Sequence, residues 1–450
     1  MYEYGEYMKI LFISLGCDKN TVDSEMMLGI LSKHGYEITD SEDDADAAVI
    51  NTCCFIGDAK QESIDNILQM TALKEKGKLK AVIVTGCLGE RYSEDIHKEI
   101  PQVDAILGIS GWDKIAECLD TVLKDNKKPV DAVGDISSKP LYGFDRLLTN
   151  GGHYAYLKIA EGCNKRCTYC VIPYVRGNYR SVPIDTLVDE AKKLAERGVK
   201  ELILVAQETT LYGVDLYNEK SLPRLLKELA AIEGIRWIRI LYCYPEEITD
   251  ELIKTIKEEP KICHYLDIPI QHASDEILKR MARKTTRSEI TERIKRLRKE
   301  IPDIAIRTTL ITGFPGETIK DHKQMIEFVK DMRFDRLGVF TYSREEGTKA
   351  AEMKGQIPQF IKRRRRDRVM RLQQMIAWDK AKQTAGEVMD VMIEGKLVKE
   401  GVYVARSYKD APNVDGEVFV ECDRELMSGD FVKVKVTGSR EYDLVGEVIE

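Results

Sequence analysis

No stretch of the sequence approaches the ~18 consecutive apolar residues of a membrane-crossing helix, so an integral helical membrane protein is excluded. There is no low-complexity tract and no close internal repeat, which removes fibrous and solenoid classes. Positive charge is not in excess either. The formal net charge of the 450 residues is −7, and no general electrostatic footprint for nucleic acid results. The start, Met1–Tyr7, is acidic and tyrosine-rich, unlike the basic and apolar leaders of exported or imported proteins, so a cytoplasmic location is expected. Cysteine is present, but eleven is an odd number dispersed over a long chain. That pattern argues against a disulfide framework and for metal or redox chemistry. The remainder, 43% hydrophobic and 32% charged, is the composition of a globular protein with room for about three domains.

Three rhythms divide the chain. From Lys9 to about Leu123, apolar strand runs (Lys9–Leu15, Ala47–Ile50, Ala81–Val84) alternate with helical stretches such as Val22–His34 and Ala59–Leu73, as in a doubly wound parallel sheet. Residues 125–150, rich in Lys, Asp and Gly, read as a linker. From Gly151 to Phe340 six longer β/α units follow, with strands expected at 154–159, 201–206, 235–241, 265–270, 304–311 and 336–340. Six is fewer than the eight of a closed barrel and implies an incomplete (β/α)6 barrel whose chemistry lies at the strands' carboxyl ends. After a basic helix, five short strands between 387 and 449 read as a small antiparallel β-barrel. The expected domains are therefore 8–124, 151–378 and 379–450, with the linker between the first two.

Cys163, Cys167 and Cys170 stand in Glu161-Gly-Cys-Asn-Lys-Arg-Cys-Thr-Tyr-Cys170, directly after the first barrel strand. Three soft thiolates so close together can hold three irons of a four-iron four-sulfur cluster and leave the fourth iron open. A structural zinc site would need a fourth ligand, and no Cys or His at finger spacing supplies one. This Cys-x3-Cys-x2-Cys string resembles the radical S-adenosylmethionine (SAM) superfamily. The resemblance implies that SAM binds the open iron and is cleaved by one electron to methionine and a deoxyadenosyl radical, with Tyr169 beside the adenine. It also implies that Gln207 and Glu208, after the second barrel strand, hold the SAM amino group, where amide and carboxylate oxygens suit an ammonium donor. A solvated strand end remains the plain alternative for these two. The segments Gln271-His-Ala-Ser274 and Arg307-Thr-Thr-Leu-Ile-Thr-Gly-Phe-Pro-Gly-Glu317 match motifs of the same group, which puts Arg307 among the expected cofactor contacts. The glycines Gly313 and Gly316 read as positions of close approach rather than a phosphate cradle.

Cys17, Cys53 and Cys87 each follow an apolar strand of the N-terminal region. Loops after the strands of an open parallel sheet share one edge, where such folds bind ligands. The three thiols can therefore converge; three buried small hydrophobes are the equally open alternative. The strings Ser14-Leu-Gly-Cys-Asp-Lys-Asn20 and Asn51-Thr-Cys-Cys-Phe-Ile56 resemble the methylthiotransferases, and among them the ribosomal-protein aspartate methylthiotransferases (RimO type). The likeness spans nearly the whole chain, the C-terminal segment resembling a TRAM domain. It implies a second 4Fe–4S cluster on Cys17, Cys53 and Cys87. One SAM would then serve as radical source and a second as methyl donor, and the target would be the β-carbon of an aspartate in small-subunit ribosomal protein twelve. Cys54 departs from the family pattern, so either adjacent thiol could be the ligand; Cys53 matches the family's cysteine. No catalytic acid or base is assigned, and Cys118, Cys243, Cys263 and Cys422 read as core residues.

Partners follow from charge. Residues 386–450 hold 15 acidic and 8 basic side chains, a net −7, with Asp415, Glu417, Glu421 and Asp423 expected on the surface. Such a module repels RNA and attracts a basic protein, while the run Lys362–Arg368 reads as a charged helix face or a nucleic-acid grip. A reductant such as flavodoxin or ferredoxin is implied. Two rival functions stay open: methylthiolation of an adenosine in transfer RNA, and a non-catalytic iron–sulfur electron carrier.

Overall fold

The computed structural model describes residues 8–124 and 130–449; Met1–Tyr7, residues 125–129 of the expected linker and Glu450 lie outside them. The chain forms two compact units. One comprises the N-terminal part to Thr149 with Ala160–Val182 and Ser343–Thr348, the other Asn150–Ile159, Pro183–Tyr342 and Lys349 onward. Neither coincides with an expected domain, because the loop bearing Cys163, Cys167 and Cys170 belongs to the first unit.

The first unit is built on six parallel strands, β1 (Lys9–Ser14), β2 (Glu37–Thr39), β3 (Ala47–Thr52), β4 (Ala81–Gly86), β5 (Ala105–Leu107) and β6 (Val130–Ala132), in the order β2-β1-β3-β4-β5-β6. Every residue of β3 and β4 is buried, as central strands covered on both faces must be. The strand order reverses between β1 and β3, which makes their carboxyl ends the binding crevice of the sheet. β2, β5 and β6, three residues each, are too short to carry a readable period. The end of the expected linker is pinned: Arg146 pairs with Glu25 at 2.5 Å, both side chains buried, and the Thr149 N–H donates to the same carboxylate at 3.0 Å. A short antiparallel pair, β8 (Ala160–Glu161) with β9 (Arg180–Ser181), frames the second cysteine loop.

In the second unit, β7 (Tyr154–Lys158), β10 (Glu201–Val205), β11 (Trp237–Ile240), β12 (Ile262–Asp267), β13 (Ala305–Thr312) and β14 (Arg336–Thr341) form one parallel sheet in the order β14-β13-β12-β11-β10-β7. The sheet does not close on itself, in agreement with six β/α units. The C-terminal strands β15 (Val388–Leu397), β16 (Val402–Ser407), β17 (Val418–Glu421), β18 (Phe431–Arg440) and β19 (Asp443–Val448) close into a barrel around Val391, Ile393, Tyr403, Val418, Val434 and Val436. It is not wholly antiparallel, since β17 and β19 pair in parallel. Helix Gln359–Gln383 joins the two parts. Its basic run is only partly a solvated face, because the Lys362 ammonium donates to the Tyr342 carbonyl at 2.6 Å and Arg365 pairs with buried Glu317 at 3.0 Å.

Beside the edge-on contact of Trp237 with Phe431, charged side chains join this barrel to the open sheet. Glu201 on β10 lies between Arg239 on β11 and Arg406 on β16, at 2.7 Å from each, with all three side chains buried. Burial opposes ionisation of Glu201, yet the two guanidinium groups hold its carboxyl below the usual range. Arg239 also donates to the Tyr408 carbonyl at 2.6 Å, Arg336 pairs with Asp410, and Arg307 meets Asp415 at 3.3 Å. Removing one member of such a group leaves a buried charge without its partner. Arg239→Met should therefore lower the unfolding free energy by about 3 kcal/mol, read as a fall in the guanidinium chloride midpoint. An exposed charge removal such as Lys254→Met should shift it little.

Candidate functional site

The three N-terminal cysteines follow β1, β3 and β4, at the carboxyl edge of the first sheet. Cys17 caps helix Asp18–Lys33 and Cys87 opens helix Cys87–Glu99, so two of them lie at helix N-termini. Cys53 follows β3 and is held by Ser63, whose hydroxyl accepts from its N–H at 3.0 Å and donates to its carbonyl at 2.9 Å. Gly16 makes the approach possible. Its φ is +99°, and a Cβ there would come within 2.9 Å of the Cys53 Cβ. Gly86, with φ +87°, is likewise forced, since a Cβ would fall 2.2 Å from the Asn51 side chain.

Two asparagines staple these loops. The Asn20 amide donates to the Leu15 and Thr52 carbonyls at 2.9 Å, and the Asn51 amide donates to the Asn20 carbonyl at 3.0 Å and to the Ser24 hydroxyl at 2.8 Å. Cys54 points elsewhere. Its thiol donates to the Cys87 carbonyl at 3.2 Å and packs among Ile67, Val84, Ile96 and Val103, and burial pushes its pKa up to about 12.

Arg176 is the site residue that sequence reasoning missed. Its guanidinium is 1% exposed and donates twice to Glu161 at 2.8 Å, to the Asn20 side chain at 2.5 Å and to Asp23 at 3.3 Å. Glu161 stands two residues before Cys163, while Asn20 and Asp23 lie on the helix that Cys17 caps. One cation thus touches the residues framing both cysteine groups. The only signal in the sequence is an arginine between apolar Val175 and Gly177, close after Cys170.

The second cysteine loop is shaped by its backbone. The Cys163 N–H donates to the Gly177 carbonyl at 3.1 Å, and Gly162, at φ +79°, lies so close to Asn178 that a Cβ would sit 2.1 Å from its carbonyl oxygen. The Lys165 N–H donates to the Cys163 sulfur at 3.4 Å. Cys163 and Cys167 are buried, Cys170 is half-buried, and Tyr169 beside it is half-buried.

All of these thiols are free of disulfides. Burial raises the pKa of Cys53 and of Cys87, opposed by the charge of Arg176. A buried thiol of this kind keeps its proton unless a metal ion replaces it, so the donors fit an iron–sulfur group better than reactive thiolates. Among the described residues no three His, Cys, Asp or Glu side chains converge on a single ion position. Ligands that each bind a different iron of a cluster need no such convergence.

In the second unit, Gln207 and Glu208 follow β10, at its carboxyl end, and Glu208 is buried, with Thr210 donating to its carboxylate from N–H at 3.0 Å. Arg307, expected beside the cofactor, turns to Asp267 at 3.0 Å and to Asp415 at 3.3 Å. The close approach expected at Gly313 and Gly316 is to side chains. A Cβ would meet Lys362 at 2.3 Å in one case and the Arg280 guanidinium at 2.8 Å in the other. Asp415, expected on the surface, has a side chain only 1% exposed, whereas Glu417, Glu421 and Asp423 are exposed. Cys118, Cys243 and Cys263 are buried, and Cys422 is half-buried against the core of the C-terminal barrel.

Residues 157–329 match the Radical SAM superfamily, 9–108 the Uncharacterized protein family UPF0004, and 385–449 the TRAM domain. The chain is 59% identical to the ribosomal protein uS12 methylthiotransferase RimO of Lachnoclostridium phytofermentans, over 98% of this chain and 99% of the relative. It is 50% identical to that of Thermoanaerobacter sp., over 97% and 98%, and 49% to that of Acetivibrio thermocellus, over 98% of each. In fold it is similar to the radical SAM methyltransferase TsrM from Kitasatospora setae, a structure with cobalamin and a [4Fe-4S] cluster bound. The TM-score is 0.52 at 15% identity, over 75% of each chain. Family membership brings a 4Fe–4S cluster and SAM to this chain, whose cysteines, as above, have the donor chemistry for the cluster. From this full-length likeness, the chain belongs to the radical SAM methylthiotransferases, in their ribosomal-protein (RimO-type) branch.

Proposed function

We propose that this enzyme inserts a methylthio group at the β-carbon of an aspartate in ribosomal protein uS12. The observation that carries the reading is the arrangement of six cysteines in two groups of three within one compact unit, with Arg176 hydrogen-bonded to the residues that frame both. Cys163, Cys167 and Cys170 would hold one 4Fe–4S cluster, Cys17, Cys53 and Cys87 a second. When bound, these groups supply the electron for SAM cleavage and a sulfur for transfer, a second SAM providing the methyl group. The chain's own part is to hold and orient. Gln207 and Glu208 offer oxygens to the SAM amino group, Tyr169 an aromatic face to the adenine, and Arg176 a cation to balance thiolate charge in a buried site. The choice of Cys53 over Cys54 is supported by Gly16, which admits Cys53 against the Cys17 loop, and by the hydrogen bond that turns the Cys54 thiol to the Cys87 carbonyl.

Two full clusters amount to about eight irons. Replacing Cys163, Cys167 and Cys170 together by Ala should leave roughly half the iron and sulfide, measured after anaerobic reconstitution; complete loss would rule out independent clusters. Cys53→Ala should abolish methylthiolation while uncoupled SAM cleavage persists, and Cys54→Ala should change neither. The opposite pattern would move the ligand to Cys54.

The substrate is supported by the relatives' activity and by charge. The C-terminal TRAM barrel is acidic, which suits a basic ribosomal protein and repels RNA. Deleting Gly386–Glu450 cannot isolate this docking role, because it would strip Arg239, Arg307 and Arg336 of buried partners. The exposed acids can. Changing Glu417, Glu421 and Asp423 to amides should raise the apparent Michaelis constant for uS12 and flatten its rise with salt, while SAM cleavage alone is unaffected. Unchanged turnover of uS12 across a salt series would defeat the docking role. Mass spectrometry of uS12 and of digested transfer RNA from a deletion strain decides the substrate class.

A further inference from the structure

A line of hydrogen bonds and one ion pair, buried or partly buried, runs through the second unit from the C-terminal barrel to the turn carrying Gln207 and Glu208. It begins at Asp415, whose carboxylate accepts from the Tyr265 hydroxyl at 2.7 Å and the Ala411 N–H at 2.9 Å and faces the Arg307 guanidinium at 3.3 Å. Arg307 donates onward to Asp267 at 3.0 Å. Asp267, at the carboxyl end of β12, accepts from the Tyr242 N–H at 3.2 Å, and its backbone carbonyl accepts from the Cys243 N–H at 2.8 Å. Tyr242 is therefore gripped from one side. From the other side the Thr209 N–H and hydroxyl each donate to the Tyr242 carbonyl at 3.1 Å. The next residue, Thr210, ties back to the Glu208 carboxylate.

Tyr242 is the joint of this line. Its φ is +61°, a conformation that a bulky residue holds only where its surroundings over-determine it. Strain of this kind at the carboxyl end of a barrel strand, beside an expected cofactor turn, marks a place where position matters to function. Asp415 does not lie at that turn, so its bearing on SAM runs through its neighbours.

We propose that Asp415, acting through Arg307 and Asp267, is a positioning residue for SAM: the C-terminal barrel sets the backbone at Tyr242 and thereby the Thr209–Thr210 turn that orients Glu208. The TRAM module then serves the radical step as well as substrate docking. This inference rests on the reading that Gln207 and Glu208 receive the SAM amino group.

The test uses full-length enzyme reconstituted with both clusters and measures reductive SAM cleavage without protein substrate. Asp415→Asn should raise the apparent Michaelis constant for SAM about tenfold and leave the maximal rate largely intact. Asp410→Asn is the control. It unpairs Arg336 at the same seat, while its side chain makes none of the line's hydrogen bonds, so it should lower the melting temperature comparably and leave the constant for SAM unchanged. If Asp415→Asn does not fold, Arg307→Lys carries the test, because it keeps the charge but loses the fork that bridges two carboxylates. The inference is overturned if the folded variant binds SAM normally, or if Asp410→Asn weakens SAM to the same degree. The paired variant Gln207→Ala with Glu208→Ala, which removes both acceptor side chains, separates the two readings. A normal constant for SAM in that variant removes the cofactor assignment itself; a raised one beside a normal Asp415→Asn removes the coupling alone.

Discussion

Arg176 is the interaction on which the candidate site depends. A guanidinium buried to 1% exposure costs several kcal/mol in desolvation unless its donors are matched. Here they are matched by Glu161, Asn20 and Asp23. Those partners come from the loop before Cys163 and from the helix behind Cys17, so satisfying one cation brings together segments far apart in the chain. The arrangement also has an electrostatic logic. Burial works against the charge of Arg176, but Glu161, Cys87 and Asp23 raise its pKa, so it stays charged. A permanent cation beside Cys87 and Cys53 opposes the effect of burial on their thiols and favours the deprotonated form that a metal requires.

The second unit solves a similar problem by another route. An open parallel sheet leaves the inward side chains of its strands to be covered, and here polar groups on neighbouring strands (Glu201, Arg239, Tyr265, Arg307 and Arg336) are met by β16 and the segment that follows it. Replacing such a lattice by apolar residues would often be neutral for stability. Its advantage is directional: each fork accepts one partner geometry, so the C-terminal barrel has one seat, unlike a module on a flexible tether. The acidic character of that barrel has two parts. Asp410 and Asp415 are spent inside, while Glu417, Glu421 and Asp423 remain to meet a partner.

Much of this was legible in the sequence, for local reasons. Continuous apolar runs such as Ala47–Ile50 mark central parallel strands, and a cysteine directly after such a strand must lie at the sheet's binding edge. The spacing of Cys163, Cys167 and Cys170 needs no fold at all to suggest a cluster. What could not be read depends on distant partners. Arg406 finds Glu201 across 205 positions, and Asp415, in an acidic segment, has every local mark of a surface residue. The same holds for Arg307. A charged residue inside a recognised motif suggests a ligand contact, and only the fold reveals that its guanidinium also faces two carboxylates.

A radical enzyme has reason to be built in this way. Its reactive species attacks whatever hydrogen lies nearest, so selectivity is a matter of placing the cofactor and target before the electron arrives. Apolar packing tolerates small shifts, since it is non-directional, whereas a charge-assisted hydrogen bond loses strength as its length and angle depart from ideal. Buried ionic lines at both places, Arg176 beside the cysteine loops and Arg307 behind the Tyr242 turn, therefore suit the need for fixed geometry better than a wholly apolar core would. The strained backbone at Tyr242 is the expected companion of that choice, because a residue held from both sides can be kept where an unconstrained chain would not rest.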